Sequence, residues 1–172
     1  GPGWEDGTST IAGAPGDVWG NVLAGDYAND TGQALVSPVF TVGPTSNMME
    51  ILHYVQIETN FDGGNVSVDG QVITPVTGYP FTISTSTSFY AFCVDNEPGF
   101  SGNSSSGPSE NWVERCWDLS AFDGQDIAVE FNFGTDSSVV YPGWYLAYVR
   151  IGGMGGTPVE ESSWGGIKSL YR

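Results

Sequence analysis

The chain has 172 residues, a net charge of −16 and only four cations, Arg115, Arg150, Lys168 and Arg172. A phosphate backbone is bound through clustered Lys and Arg, so nucleic acid is excluded as a partner. No run of about 18 apolar residues occurs, so no membrane insertion is expected, and the length suits one domain with a core of its own. The acidity reads either as solubility or as a reservoir of oxygen ligands for a divalent cation.

In chain order, residues 4–23 read as a short strand, a loop and a second short aromatic segment. Residues 33–42 (QALVSPVFTV) alternate, with Pro38 marking an edge or a bulge. Residues 48–60 hold the longest apolar run and are expected to form a central strand. Asp69-Gly70, between two short alternating runs, is a two-residue hairpin signal. Residues 81–95 form a Ser/Thr-rich strand, followed by a long polar loop over 96–111.

In the stretch IAVEFNF, Ile127, Val129, Phe131 and Phe133 share one face and Ala128, Glu130 and Asn132 the other. That is the pattern of a half-buried antiparallel strand. On the next strand, Tyr145, Ala147, Val149 and Ile151 fall on one face and Trp144, Leu146, Tyr148 and Arg150 on the other. With the first face as core, Trp144, Tyr148 and Arg150 are expected to form an outward contact surface; with both faces buried, a second layer covers them.

Residues 152–158 are a Gly-rich hinge, and the last nine, WGGIKSLYR, hold two of the four cations and no acid. The expected division is a β-sandwich over 1–153 and a basic, aromatic tail over 154–172. Trp164, Ile167, Lys168, Leu170, Tyr171 and Arg172 are the tail residues expected to dock, on the chain itself or on a neighbouring subunit. Gly1-Pro2 reads as a processed end or a tag remnant.

Two cysteines, Cys93 and Cys116, suit a disulfide in an oxidising compartment, or two separate buried thiols. The bridge would close a loop of about 24 residues, a stabilisation of about 3 kcal/mol in the chain-entropy view. His53 is the single histidine and lies within the 48–60 run. No Gly-x-Ser-x-Gly elbow accompanies it, and one His with two cysteines cannot complete a zinc site, so a core histidine is expected and no catalytic residue is assigned.

Several segments, in order, resemble the jelly-roll modules of the MAM and immune-inhibitor-A type found in secreted bacterial proteins. They are Trp4-Glu5, Tyr27 and Asn29 leading to Ala34-Leu35-Val36-Ser37-Pro38, and Glu58 with Phe61-Asp62-Gly63-Gly64-Asn65-Val66. Trp117-Asp118-Leu119-Ser120-Ala121-Phe122, Phe133-Gly134-Thr135-Asp136 and Gly143-Trp144-Tyr145 complete the set. The resemblance implies an all-β, two-sheet antiparallel jelly-roll sandwich without a catalytic centre. It also implies a Ca2+ site between the first and last strands, for which Glu5 matches the first ligand. The family's two Asp positions in the last strand are Ala147 and Tyr148 here. A variant site built from Glu5, Asp6, Asp26 and Asp30 is the remaining expectation.

The function expected from these readings is a non-enzymatic, extracellular adhesion or assembly module presenting surfaces to protein or carbohydrate. The alternatives are a subunit of an extracellular filament or surface assembly held by its C-terminal tail, and a carbohydrate-binding accessory domain of a larger secreted enzyme.

Overall fold

The computed structural model describes residues 3–84, 94–104 and 112–152. Strands β1 (Glu5–Thr8), β2 (Asp17–Gly20), β3 (Gly32–Val36), β4 (Phe40–Thr41) and β5 (Met48–Gln56) lead into β6 (Gly63–Val68) and β7 (Gln71–Val72). Then come β8 (Phe81–Thr82), β9 (Pro98–Gly99), β10 (Val113–Asp118), a 3-10 turn at Ser120–Phe122, β11 (Asp126–Ile127), β12 (Val129–Gly134) and β13 (Gly143–Gly152).

Two sheets carry the fold. One has five strands in the order β1-β2-β13-β5-β10; the other has four, β3-β12-β6-β7. Two short pairs, β4 with β11 and β8 with β9, extend the arrangement. Every named strand pair is antiparallel. The chain passes between the two sheets six times, at β2 to β3, β3 to β5, β5 to β6, β7 to β10, β10 to β12 and β12 to β13, which gives the all-β sandwich expected from the sequence.

Period-two patterning decides the faces. Val129, Phe131 and Phe133 of β12 point into the core with Met49, Ile51 and Val55 of β5. Trp117 and Trp144, both wholly buried, fill the space between the sheets. Burying an aromatic side chain of this size is among the largest single contributions to such a core. Gly64 is what admits Trp144: a Cβ at position 64 would stand 2.4 Å from the indole ring.

Pro38 separates β3 from β4 on the edge of the four-stranded sheet, where its missing N–H is harmless. Asp69 and Gly70 take φ of 50° and 73°, and Val68 pairs with Gln71. Both central residues at positive φ make the hairpin turn that matches strand twist.

The contact surface expected on β13 is corrected by a bulge. Leu146 pairs with His53 and Tyr148 with Leu52, leaving Ala147 as an extra residue. One extra residue reverses which side chains face inward. Trp144 and Leu146 before the bulge, and Val149 after it, therefore share the inner face, while Tyr148 and Arg150 lie outside. Trp144 is in the core and offers no surface for stacking on a sugar. On the outer face, Tyr145 packs with Tyr54 and Val18 under Ile11, Ala14, Leu23 and Trp112, a second apolar layer.

Candidate functional site

Three loops meet beyond the ends of β5 and β12. The chain leaves β5 through Ile57, turns over residues 58–62 and re-enters at β6. Within this turn the Asp62 N–H donates to the Glu58 carbonyl at 3.3 Å, and Asn60 takes φ of 71°. Asn is one of the few non-Gly residues that tolerates that conformation. The turn therefore places Glu58 and Asp62 on one side. Asp136 arrives from the loop after β12, and Tyr27 from the loop between β2 and β3.

Asp62 is fully buried and organises the rest. Its Oδ2 accepts from the Tyr27 hydroxyl at 2.7 Å, and its Oδ1 from the Asp136 N–H at 2.6 Å. The Tyr27 oxygen in turn accepts from the Glu58 N–H at 3.0 Å. Ser101 Oγ lies 2.9 and 2.7 Å from the carbonyl oxygens of Glu58 and Asp62, and accepts from the Asn60 N–H at 2.8 Å. The Asp30 N–H donates to the Asp136 carbonyl at 2.7 Å, so the loop between β2 and β3 is tied to the same point.

Carboxylate oxygens of Glu58, Asp62 and Asp136 all lie within 4.8 Å of one another. Two like charges at that distance repel by about 3 kcal/mol at an effective dielectric of 20. Burial foremost, and then the neighbouring Asp136 and Glu58 charges, push the Asp62 carboxyl up to about 6; the hydrogen bonds from Asp136 and Tyr27 pull the other way. Burial and the Asp136 charge raise Glu58 as well. Burial, followed by the Asp62 hydrogen bond, raises the Tyr27 phenol above its usual range. Oε2 of Glu58 is sealed from solvent and has no hydrogen-bond partner among the described residues. Two events relieve such a cluster: uptake of a proton, or entry of a cation.

The same loops hold three exposed apolar side chains, Phe61, Val139 and Tyr141. Val139 sits at φ of 52°, a conformation that a β-branched residue avoids.

The carboxylates expected from the sequence to hold Ca2+ are elsewhere. Glu5 uses Oε2 to accept from the Leu23 N–H at 2.7 Å. Asp6, Asp26 and Asp30 are exposed. No three of these four come within 4.8 Å of one another; among the described residues, Glu58, Asp62 and Asp136 form the one group that does. All three were visible in the Glu58–Asp62 and Phe133–Asp136 motifs, but nothing in the sequence says that these two loops meet.

Tyr148 and Arg150 belong to a polar network on the outer face of the five-stranded sheet. The Tyr148 oxygen stands 2.9 Å from Oε1 of Glu50 and 2.8 Å from Oε1 of Glu114. The Arg150 guanidinium lies 3.8 Å from the Tyr148 ring centroid, with Nη1 3.6 Å from Oε1 of Glu50. Cys116 is half-buried on this side, its thiol raised by burial and by Glu50 and Glu114. Among the described residues it carries no disulfide. The Cys93 half of the expected pair lies outside them, as do the tail residues Trp164, Ile167, Lys168, Leu170, Tyr171 and Arg172.

His53 is 1% exposed, and its Nδ1 accepts from the Trp144 indole N–H at 3.1 Å. Burial, then the Arg115 charge, push it down to about 3. It is the core histidine that the sequence suggested.

No family model matches the chain. Among characterised proteins, Bacillopeptidase F of Bacillus subtilis (strain 168) is 29% identical over 150 residues. That alignment takes in 83% of this chain and 9% of Bacillopeptidase F, so what this chain resembles is a small part of a much longer protein that is a peptidase by name.

Proposed function

We propose that the chain is a non-catalytic β-sandwich module that acts as an accessory part of a larger extracellular protein, and that its working surface is the loop end around Asp62. The observation that carries the first half is the lopsided match: most of this chain corresponds to under a tenth of Bacillopeptidase F. A segment that small, folding as a sandwich with its own core, suits a module attached to a catalytic domain better than the domain itself.

The second half rests on where the sandwich is not already satisfied. Trp144, the aromatic best suited to sugar stacking, is in the core. Tyr148 and Arg150 are engaged with each other and with Glu50. The loop end instead combines a compressed carboxylate cluster with exposed Phe61, Val139 and Tyr141. Loops held by a rigid scaffold are the usual seat of binding.

A divalent cation at Glu58, Asp62 and Asp136 is the reading that best accounts for the sealed, partnerless Oε2 of Glu58. An all-oxygen, carboxylate-rich donor set matches Ca2+, which takes six to eight oxygens. Such an ion would tie the turn at 58–62 to the loop after β12 and so fix the contact surface.

The test is expression of the chain alone, followed by assays on casein, chromogenic peptides and chromogenic glycosides. The accessory reading predicts a cooperatively folding protein without turnover above buffer. Turnover that survives repurification and disappears in Asp62→Asn would overturn it.

A further inference from the structure

The hairpin of β1 and β2 closes where Thr8 pairs with Asp17, and Thr8 Oγ1 donates to Asp17 Oδ1 at 3.0 Å. Between them lie eight residues, STIAGAPG, none charged on a chain of net charge −16. A hairpin needs only about two to five. The surplus folds back over the outer face of the five-stranded sheet, where Ile11 and Ala14 pack on the cluster of Val18, Tyr54 and Tyr145.

Beneath lies a row of three rings on neighbouring strands. Tyr145 of β13 pairs with Tyr54 of β5, and Trp112 precedes Val113 of β10, which pairs with His53 beside Tyr54. Ring centroids stand 5.9 Å apart for Tyr145 and Tyr54 and 5.8 Å apart for Tyr54 and Trp112. The Tyr54 hydroxyl donates to Gln56 Oε1 and the Tyr145 hydroxyl to the Pro142 carbonyl, both at 2.7 Å, so the two phenols are held in place. Gly13 stands over the third ring: a Cβ there would lie 3.9 Å from Trp112 Cδ1.

The cover matches this row imperfectly and is lightly tied. The Trp112 indole N–H is sealed from solvent and has no acceptor among the described residues, an arrangement that costs free energy. The Thr10 N–H and hydroxyl reach the one Leu23 carbonyl at 3.3 and 3.5 Å, and the Ser9 hydroxyl donates to the Tyr145 oxygen. Beyond Thr10 the backbone bonds stay within the segment, from the Ile11 N–H to Ser9 Oγ at 3.1 Å and from the Ala14 N–H to the Ile11 carbonyl at 3.4 Å. Gly13 and Gly16, with φ of 73° and 151°, take conformations open to glycine.

We propose that residues 9–16 are a displaceable strap over an aromatic binding face, and that the ligand is an extended, uncharged peptide of small residues and proline from a partner protein. The occupant now seated there names the chemistry, because the strap is itself such a peptide. Aromatic-lined faces take extended Pro-containing segments through ring contact and a few donors to backbone carbonyls. The Trp112 indole N–H is a donor of that kind, left without an acceptor by the strap. The Glu5 and Asp26 charges act on Tyr145, which turns acidic segments away. A strap tethered at both ends competes at high effective concentration, so the closed chain binds more weakly than the face itself would. The strap shares no residue with the carboxylate cluster, so this inference stands or falls apart from the loop-end reading.

The experiment follows the indole N–H resonances of the full chain by NMR, with Trp112→Phe identifying the Trp112 signal. In the wild type this N–H should exchange with solvent about a hundredfold faster than that of Trp144, which donates to His53 in the core. Equal exchange of the two would overturn the proposal, and this arm needs no further variant. The probe for binding is an acetylated, amidated peptide with the sequence of residues 9–16. It is titrated into the wild type, into a chain lacking residues 11–15, which keeps a three-residue turn between Thr8 and Asp17, and into Ile11→Ser. Circular dichroism confirms that each variant folds. The proposal expects saturable movement of the Trp112 signal, with an affinity in the folded variants about tenfold or more above the wild type, the factor for a strap closed nine-tenths of the time. No movement in the folded variants, or equal affinity in the wild type, would overturn it.

Discussion

The Tyr27 hydroxyl donates to Asp62 at 2.7 Å while its oxygen accepts from the Glu58 N–H at 3.0 Å, so one phenol closes both ends of the turn at 58–62. The partner groups are buried or half-buried, and neither bond has an obvious substitute in protein. Tyr27→Phe keeps the ring against Phe133 but leaves a buried carboxylate oxygen and a backbone donor without a partner. We predict a loss of about 1–3 kcal/mol, the usual cost of orphaning buried polar groups. Urea denaturation with unchanged slope is the check.

The acid response divides between two groups of opposite sign. Asp62 has a folded value of about 6 against an ordinary 3.8, so its contribution to stability is fully present below the lower figure and is lost as pH rises through the higher. His53, at about 3 against 6.5, contributes above 6.5 and loses that contribution as pH falls. Between pH 6 and 4 the two oppose each other, and the wild-type melting temperature should change little from this pair. Asp62→Asn removes one arm and exposes the other. The variant should lose stability steadily on acidification over that window, as followed by thermal melts in steps of half a pH unit. Parallel curves for the two proteins would show that Asp62 is not raised.

Gly64 is required for space rather than for backbone freedom. A methyl group there would meet the Trp144 ring at 2.4 Å and the Asn132 carbonyl at 2.6 Å, in a region with no room to give. Gly64→Ala should destabilise by about 1–3 kcal/mol, as overpacking does. Near-ultraviolet circular dichroism should change with it, since Trp144 must shift against Trp4, His53 and Phe131.

Much of the sandwich is written in local pattern. The alternation at Val129, Phe131 and Phe133, the Asp69-Gly70 turn and the edge position of Pro38 each follow from chemistry within a few residues. Trp144 was misplaced for an equally local reason. Strict alternation from Tyr145 to Ile151 is right for Val149 and Ile151 but wrong before the bulge, where it turns Tyr145 inward and Trp144 outward, because the extra residue at Ala147 resets the phase and alternation carries no sign of a bulge. The carboxylate cluster was missed for a different reason. Glu58 and Asp62 belong to one turn, but Asp136 reaches them only through pairing of β6 with β12, a non-local fact.

The most direct test of the loop-end reading is thermal unfolding at pH 7.5 in 5 mM Ca2+ and in EDTA, for the wild type and for Asp62→Asn. With Kd on the order of 10⁻⁴ M, as for extracellular Ca2+ modules, 5 mM Ca2+ stabilises by about 2 kcal/mol. The wild type should then melt several degrees higher in Ca2+ than in EDTA, and Asp62→Asn should show little or no difference. Identical melting of the wild type in the two buffers, or an equal Ca2+ gain in the variant, would contradict the account.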